Sequence, residues 1–266
     1  MSENIITCTN LDDAIDHYTN RLGYRLDMIK PADAPREALM TRRSEILRLK
    51  AENHPTAEAA PLLCKEGSQN WIVGRAGMEY RDLIPDRLGG KLIASHIRLT
   101  KGGEVADYVH YHKVDFQMIY CVKGRIKVVY EDQGPPFWLE TGDCVLQPPE
   151  IRHRVLECTA GAEVIEVSMP AEHETWVEHN IKLPTTELKP ERDFSGQRFV
   201  RHRTPKGVTP ARRDLGIAAA TDGRFNASVQ KMQPDEYPAE YYANESEIGF
   251  SFKLNDAELL AVSLKI

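Results

Sequence analysis

The chain has 266 residues, of which 41% are hydrophobic and 28% are charged, and its formal net charge is -6 at pH 7. These are ordinary values for globular proteins, so the composition predicts a folded chain of two or three compact modules. A net negative charge without clustered Lys and Arg argues against a nucleic-acid partner. No apolar run is long enough to cross a bilayer and the start of the chain lacks a signal peptide, so we expect a cytoplasmic protein without a membrane partner.

The five cysteines are odd in number and lack C-x-x-C spacing. This pattern favours reduced thiols over a disulfide framework, a zinc finger or a redox pair. They are Cys8, Cys64, Cys121, Cys144 and Cys158.

The first fifty residues predict a strand, a helix and two further strands. Ile5–Thr9 is strand-like, a helix capped by Asn10 or Asp12 runs to Arg21, and Gly23 ends it. This order, with the sequence LDDAIDHYTNRLGY, resembles the first half of a glyoxalase-type (vicinal oxygen chelate) βαβββ module. The first strand carries Cys8 where that family usually has a metal ligand, so we predict a structural or pairing role for residues 1–58.

A change of composition marks the next boundary. Residues 50–69 are rich in Ala, Glu, Pro and Asn, which is typical of a connector. From residue 72 to residue 170, short runs of β-type alternation are separated by Gly and Pro turns. Such spacing predicts a sandwich or barrel over residues 59–172.

Two motifs in this region carry the chemistry. In an extended strand, residues two apart point the same way, so His110 and His112 in the sequence HYHKVDFQMIYCVKG can grip one ion. The later stretch GDCVLQPPEIRH returns a third imidazole, His153. The fixed positions of the two motifs are His110, His112, Gln117, Gly124, Gly142, Pro148 and His153.

These positions resemble the paired motifs of the cupin superfamily. The resemblance implies a mainly β fold with a jelly-roll, or double-stranded β-helix, barrel that binds one divalent transition metal through His110, His112, Gln117 and His153. Fe(II) is favoured, and Zn, Ni, Mn and Cu stay open. Glu104 and Glu150 stand at turn positions where the family usually has Gly.

Gln117 stands where most cupins have Glu, and this changes the expected charge of the site. Three neutral imidazoles and one amide leave the double charge of the metal uncompensated, which makes the ion a stronger Lewis acid. We therefore expect the site to favour anionic substrates that supply the missing charge.

Candidate substrate-contacting residues follow from the strand period and from proximity to the motifs. Ile119 and Cys121 share the inward face of the strand with Gln117, while Met118 and Tyr120 point the other way. Aromatic residues near the barrel mouth and polar residues on the preceding strand are further candidates, with core or sheet-face packing as the alternative. They are Tyr108, Phe116, Trp138, His96 and Arg98.

The C-terminal part contains a faint repeat. Residues 173–206 are polar and rich in proline, as in an irregular linker. In residues 207–266, RDL at Arg213–Leu215 repeats Arg81–Leu83, and DGRFNAS at Asp222–Ser228 repeats GGKLIAS at Gly89–Ser95.

Continuing that alignment with a two-residue gap places Tyr241, Ala243 and Ile248 at the three motif positions of His110, His112 and Gln117. We therefore predict a degenerate partial second cupin without metal. Its last apolar strand, ELLAVSLKI, would be an edge that the N-terminal module or a second subunit must cover, which favours a homodimer.

The cupin resemblance implies a metal-dependent enzyme for a small enolisable or phenolic substrate. Three-histidine iron sites of that superfamily imply O2-dependent ring or C–C cleavage, so a dioxygenase is the first hypothesis. A cyclase or isomerase of the polyketide cyclase type, which needs no oxygen, is the second. A non-catalytic small-molecule-binding cupin stays open, because fold does not fix function.

Overall fold

The computed structural model describes residues 3–52, 71–74, 77–84, 86–205, 207, 210–232 and 239–265. The predicted boundary between residues 58 and 59, most of the connector and Cys64 lie outside these ranges. Three helices occur in the described ranges, and none is long and apolar enough to span a membrane. They are α1 (Leu11–Asn20), α2 (Arg87–Gly90) and α3 (Ile217–Ala220).

The described strands form three sheets. Sheet A has the order β1 (Glu3–Cys8), β4 (Glu45–Ala51), β3 (Glu37–Arg42), β2 (Arg25–Lys30), β16 (Thr175–Val177), β9 (His110–His112), β14 (His153–Cys158), β11 (Arg125–Tyr130) and β12 (Phe137–Glu140), with β8 (Gly103–Glu104) also paired to β14. Sheet B has the order β17 (Val200–His202), β13 (Cys144–Leu146), β10 (Phe116–Lys123), β15 (Ala162–Met169), β7 (Ile93–Leu99), β6 (Glu79–Asp82) and β5 (Ile72–Val73). Sheet C has the order β18 (Arg212–Asp214), β19 (Phe225–Lys231), β22 (Glu258–Lys265), β21 (Glu247–Lys253) and β20 (Ala239–Ala243).

The fold is mainly β, as predicted, and sheets A and B enclose a jelly-roll barrel. Side chains alternate along β10, so Ile119 and Cys121 enter the barrel core, whereas Phe116, Met118 and Tyr120 enter a second core between sheets B and C. The barrel therefore has its own interior, and sheet C packs against its outer wall.

The N-terminal residues form a strand, a helix and three strands, which is one strand more than the two predicted after the helix. Asn10 caps α1 by accepting a hydrogen bond from the backbone N–H of Asp13 at 3.2 Å. Leu11 of this helix belongs to the same hydrophobic core as Met40 and Leu49, and β1 pairs in parallel with β4. The likeness to a glyoxalase module stays a prediction.

Strand β16 joins the N-terminal strands to the barrel. It pairs with β2 on one side and with β9 on the other, so that Thr175 is opposite both Ile29 and His112. Arg87 adds an ion-pair link, since its guanidinium lies 2.7 Å from Asp33 and 2.8 Å from Asp82. The stretch predicted to be an irregular linker thus supplies two sheet strands, β16 and β17, because strand pairing overrides its polar composition.

The sequence repeat has a counterpart in strand pairing. Asp82 of β6 is opposite Ser95 of β7, and Asp214 of β18 is opposite Ser228 of β19. The order β6, β7, β15, β10 in sheet B corresponds to β18, β19, β22, β21 in sheet C. These parallels support the repeat, while a degenerate second cupin stays a prediction.

The same register adjusts the sequence alignment by one residue. In sheet B, Gln117 of β10 is opposite Ser168 of β15. The cross-strand pair at the corresponding position of sheet C is Gly249 of β21 and Ser263 of β22. Ile248 instead lies in the core between sheets B and C. A one-residue slip exchanges the two faces of a strand, so Gly249 is the better counterpart of Gln117.

The last strand, β22, is not a sheet edge. It pairs with β19 on one side and with β21 on the other. The expectation that it needs a covering partner is wrong, because its backbone groups are already paired within the chain. The edge strand therefore no longer supports a homodimer, which stays a prediction.

Candidate metal centre

Three buried histidines converge inside the barrel. His110 and His112 lie on β9, and His153 on β14 is the cross-strand partner of His110. One ring nitrogen from each of the three residues lies within 4.8 Å of the other two. The ring centroids are 4.3 Å apart for His110 and His153, and 5.1 Å apart for His110 and His112. Such a cluster has the size of a metal site.

Hydrogen bonds at the back of each ring set its orientation. The Nδ1 atom of His110 donates to the carbonyl oxygen of Tyr108 at 2.7 Å, and that of His153 donates to the carbonyl oxygen of Ile151 at 2.9 Å. Because a carbonyl only accepts, Nδ1 carries the proton and the lone pair of the neutral ring lies on Nε2. The two rings are thus in the tautomer that metal ligation requires.

His112 is held by a side chain from the neighbouring strand. Its Nδ1 atom lies 2.9 Å from the hydroxyl oxygen of Thr175 on β16, and both residues are buried. A hydroxyl can donate or accept, so this contact fixes the ring position but leaves the tautomer open.

A carboxyl group lies behind the cluster. Asp107 Oδ1 is 3.6 Å from His110 Nδ1, and Asp107 Oδ2 accepts a hydrogen bond from the backbone N–H of Val155 at 2.9 Å. Carboxylates at this distance increase the basicity of a ligating imidazole. The charge of the site therefore depends on more than the amide of Gln117.

Gln117 faces the same barrel interior from sheet B. It shares its face of β10 with Ile119, and it is 1% exposed. Its Nε2 atom has no hydrogen-bond partner among the described residues. This nitrogen is an N–H donor and would need a hydrogen-bond acceptor, whereas a metal would bind to the amide oxygen, Oε1. Its role as the fourth metal ligand stays a prediction.

Backbone geometry supports the two motifs. Gly124 has φ +69°, and a Cβ there would lie 2.6 Å from the Thr159 hydroxyl oxygen, so the hairpin after β10 requires glycine. Glu150 has φ +60°, which explains why glycine is usual at this turn. The backbone N–H of Glu150 donates to the carbonyl oxygen of His112 at 3.1 Å and ties this turn to the site.

The histidines open on a cavity of about 80 Å³. Because a buried water needs roughly 10–15 Å³ of such space, this volume suits a ligand of only a few heavy atoms. Most of the wall is aliphatic, and Ala32 and Asp33 after β2 also contribute to it. The polar wall residues are Asp33, Tyr80, His110, His112, Tyr130, Gln147, His153 and Glu166.

A polar patch in this wall surrounds the ring of His153. Tyr130 stacks on His153 with 5.6 Å between ring centroids, and Gln147 hydrogen-bonds with Tyr130. Burial raises the pKa of Tyr130, and the charge of Glu166 contributes to this shift. The site therefore combines three imidazoles with a neutral phenol and a carboxyl group.

The predicted substrate-contacting residues divide into two groups. Ile119 lines the cavity. Cys121 lies in the barrel core, where burial raises the pKa of its thiol to about 12, so it packs as an apolar residue. The Tyr108 ring is 5.9 Å from that of His110 but lines a separate cavity near Leu11.

The remaining four candidates lie off the cavity because of strand alternation or exposure. Phe116 packs on Phe225 of sheet C, and the Arg125 guanidinium lies 4.4 Å from the Trp138 ring. His96 and Arg98 share a face of β7 that points away from the barrel interior. Their contacts are Arg81 and Glu163 for His96 and Glu79 for Arg98.

Several site residues were not predicted. Glu166 occupies the inner face of β15, opposite Ile119, and its sequence signal was shared with Glu163, because both carboxylates stand in the run AEVIEVSM of residues 162–169. Tyr130 and Gln147 follow apolar runs and gave only a weak signal. Thr175 gave none, because it belongs to the polar stretch that predicts a linker.

Comparison with known proteins agrees with the motifs. Residues 95–168 match the family described as Cupin domain. This segment, which is similar to cupin domains, contains the four predicted ligands. None of the curated proteins that were compared matches the chain.

Several solved structures are similar to parts of this chain. An RmlC-like cupin from Shewanella frigidimarina is 28% identical, covers 40% of this chain and 89% of its own, and has a TM-score of 0.33. KdgF from Halomonas sp. is 20% identical over 38% of this chain and 87% of its own, with a TM-score of 0.31. A mutant of Bacillus subtilis oxalate decarboxylase is 12% identical over 74% of this chain and 68% of its own, with a TM-score of 0.42.

Proposed function

We propose that this chain is a metal-dependent enzyme for a small enolisable or phenolic compound, and that its reaction is an O2-dependent ring or C–C cleavage. The observation that carries the proposal is the convergence of His110, His112 and His153 within 4.8 Å at the wall of a small cavity. Three imidazoles with a remaining open position are typical of catalytic metal sites.

The residues fit a divalent transition metal, with Gln117 as the fourth ligand. Imidazole and amide donors accept Fe(II), Zn, Ni, Mn or Cu, and the proposed reaction with O2 favours Fe(II). The bound metal would supply a Lewis acid and, as iron, a centre that reacts with O2.

The chain itself positions and shields the substrate. The carbonyl groups of Tyr108 and Ile151 hold two rings with their lone pairs toward the cavity. The aliphatic wall excludes water, which strengthens electrostatic interactions inside the cavity. Its small volume favours compact substrates.

An oxygen-independent isomerase or cyclase is the second candidate. It is supported by Glu166, because a carboxyl group in the cavity wall can move a proton without any change of oxidation state.

The first experiment is metal analysis of protein purified without chelators, combined with oxygen uptake on a panel of diketones and catechols. Iron together with substrate-dependent uptake supports the dioxygenase. Zinc with conversion of the diketone but no uptake supports the isomerase or cyclase. Binding of a panel compound without turnover in any metal form would contradict both enzymes and leave a binding protein.

Two variants make this experiment specific. His112→Ala should lose the metal, because it removes one of the three converging imidazoles. His96→Asn is the matched control, since this imidazole belongs to the same barrel but contacts Arg81 and Glu163. Equal metal loss in the two variants would contradict the ligand assignment.

A further inference from the structure

We infer that Glu166 accepts the proton that a neutral carbon or oxygen acid loses when it binds in this cavity. The inference rests on the proposed function and extends it to a substrate class and a proton acceptor. Its basis is the placement of a carboxyl group in the same cavity wall as the three histidines.

Strand register places Glu166 inside the barrel. Val164, Glu166 and Ser168 share one face of β15, and Val164 belongs to the barrel core. Glu166 is opposite Ile119, and Ser168 is opposite Gln117. Glu166 is therefore on the strand next to Gln117, the predicted fourth ligand, and is diagonal to it across the two strands.

Neighbouring side chains help to position the Glu166 carboxyl group. The Ser168 hydroxyl donates a hydrogen bond to Glu166 Oε1 at 3.4 Å. Glu166 also acts electrostatically on Tyr130, whose ring stacks on His153. The wall contains a second carboxyl group, Asp33, which is ion-paired with Arg87 at 2.7 Å.

The charges of the wall favour a neutral substrate. A carboxylate ligand would be attracted by the metal but repelled by the Glu166 carboxylate, whereas a neutral acid that passes its proton to Glu166 gives the metal an anion without adding net charge to the cavity. A neutral diketone or phenol avoids that repulsion and enters an apolar wall with little loss of hydration. This inference differs from the expectation of anionic substrates, which considered only the neutral amide of Gln117.

The proton transfer is balanced within the site. A carboxylate oxygen of Glu166 takes the proton from the acidic C–H or O–H bond, and Glu166 becomes a neutral carboxylic acid. The bonding electron pair stays with the substrate, as an enolate or a phenolate. In an isomerase the same proton returns to another carbon, whereas in an oxygenase the electron-rich anion reacts with O2.

The test measures protons during binding of acetylacetone to the metal-loaded protein. Calorimetric titrations in buffers that differ in ionisation enthalpy give the number of protons released per bound molecule. We expect the wild-type protein to release far less than one, because Glu166 retains the proton. Glu166→Gln should release close to one proton or bind the probe at least about tenfold more weakly, with unchanged metal content.

Glu163→Gln is the matched control. Glu163 lies on the same strand but faces outward, where it contacts His96 at 2.9 Å and Lys123 at 3.2 Å. It should keep the proton balance of the wild-type protein. A second readout is deuterium exchange at carbon of hydroxyacetone, which Glu166→Gln should slow by about 10²–10⁴-fold.

The outcomes separate the two proposals. Wild-type protein that binds no metal contradicts the proposed function. Metal-loaded Glu166→Gln with wild-type proton release, affinity and exchange rate overturns the inference about Glu166 and leaves the metal site intact. Acetate that binds as tightly as acetylacetone overturns the substrate class.

Discussion

Replacing Thr175 by Val tests how the barrel holds its metal ligands. The hydroxyl of Thr175 lies 2.9 Å from Nδ1 of His112, and the residue is 1% exposed. Valine has nearly the same shape, so the change removes the polar partner and little else. A buried polar group without a partner costs about 1–3 kcal/mol. Losing the outer partner of a ligating histidine weakens metal binding by about 10–100-fold.

The assay separates these two effects. Denaturation by urea of the metal-free protein gives the free energy of unfolding, and competition with a chromogenic chelator gives the affinity for Zn. Thr175→Ser retains the hydroxyl and should keep most of the affinity. Thr221→Val is the matched control, because Thr221 is also buried but bonds to the Ile217 carbonyl near sheet C.

The control should lose stability without losing metal affinity. If Thr175→Val weakens Zn binding no more than Thr221→Val does, the hydroxyl does not orient a ligand. Equal loss of affinity in Thr175→Ser and Thr175→Val would also refute the reasoning, because the effect would then come from packing.

Three further predictions concern the rest of the chain. Metal analysis should find no bound metal in His112→Ala, whereas Tyr241→Ala in sheet C should keep the wild-type metal content. Metal retained in His112→Ala would refute the ligand assignment. Arg87→Met leaves the carboxylates of Asp33 and Asp82 without their buried cation. The free energy of unfolding, measured in urea, should fall by about 3–5 kcal/mol. A loss below about 1 kcal/mol would mean that solvent screens the ion pairs. Burial lowers the pKa of His96 in the folded protein. As the pH drops below 6.5, His96 therefore takes up a proton in the unfolded chain before it does so in the folded one. The free energy of unfolding should fall from pH 6.5 until the pH reaches the lower folded pKa. Urea titrations at several pH values measure this fall, which should be shallower in His96→Asn than in the wild-type protein. An equal slope in the two proteins would contradict the prediction.

The metal cluster could be predicted because its signal is local. His110 and His112 are two residues apart on one strand, and the resemblance to the second cupin motif locates His153. The strand period likewise placed Ile119 and Cys121 on the inward face of β10. Such patterns depend only on the geometry of an extended chain.

Features that depend on long-range pairing could not be predicted in the same way. Glu166 and Thr175 reach the site only through the registers of β15 with β10 and of β16 with β9. The last strand was expected to be an edge because nothing in its sequence shows that β19 and β21 flank it. The prediction of the charge of the site considered only Gln117. It omitted Asp107 and Glu166, which come from other segments of the chain.

The pairing of β16 with β2 means that the first fifty residues cannot be cut away as an independent appendage. Their removal would strip backbone partners from Thr175 and Trp176 on the side opposite the histidines. The strand that steadies His112 would then become an open edge, prone to fraying and to pairing with other molecules. A shortened protein is thus expected to lose metal retention and solubility together, although every ligand would still be present.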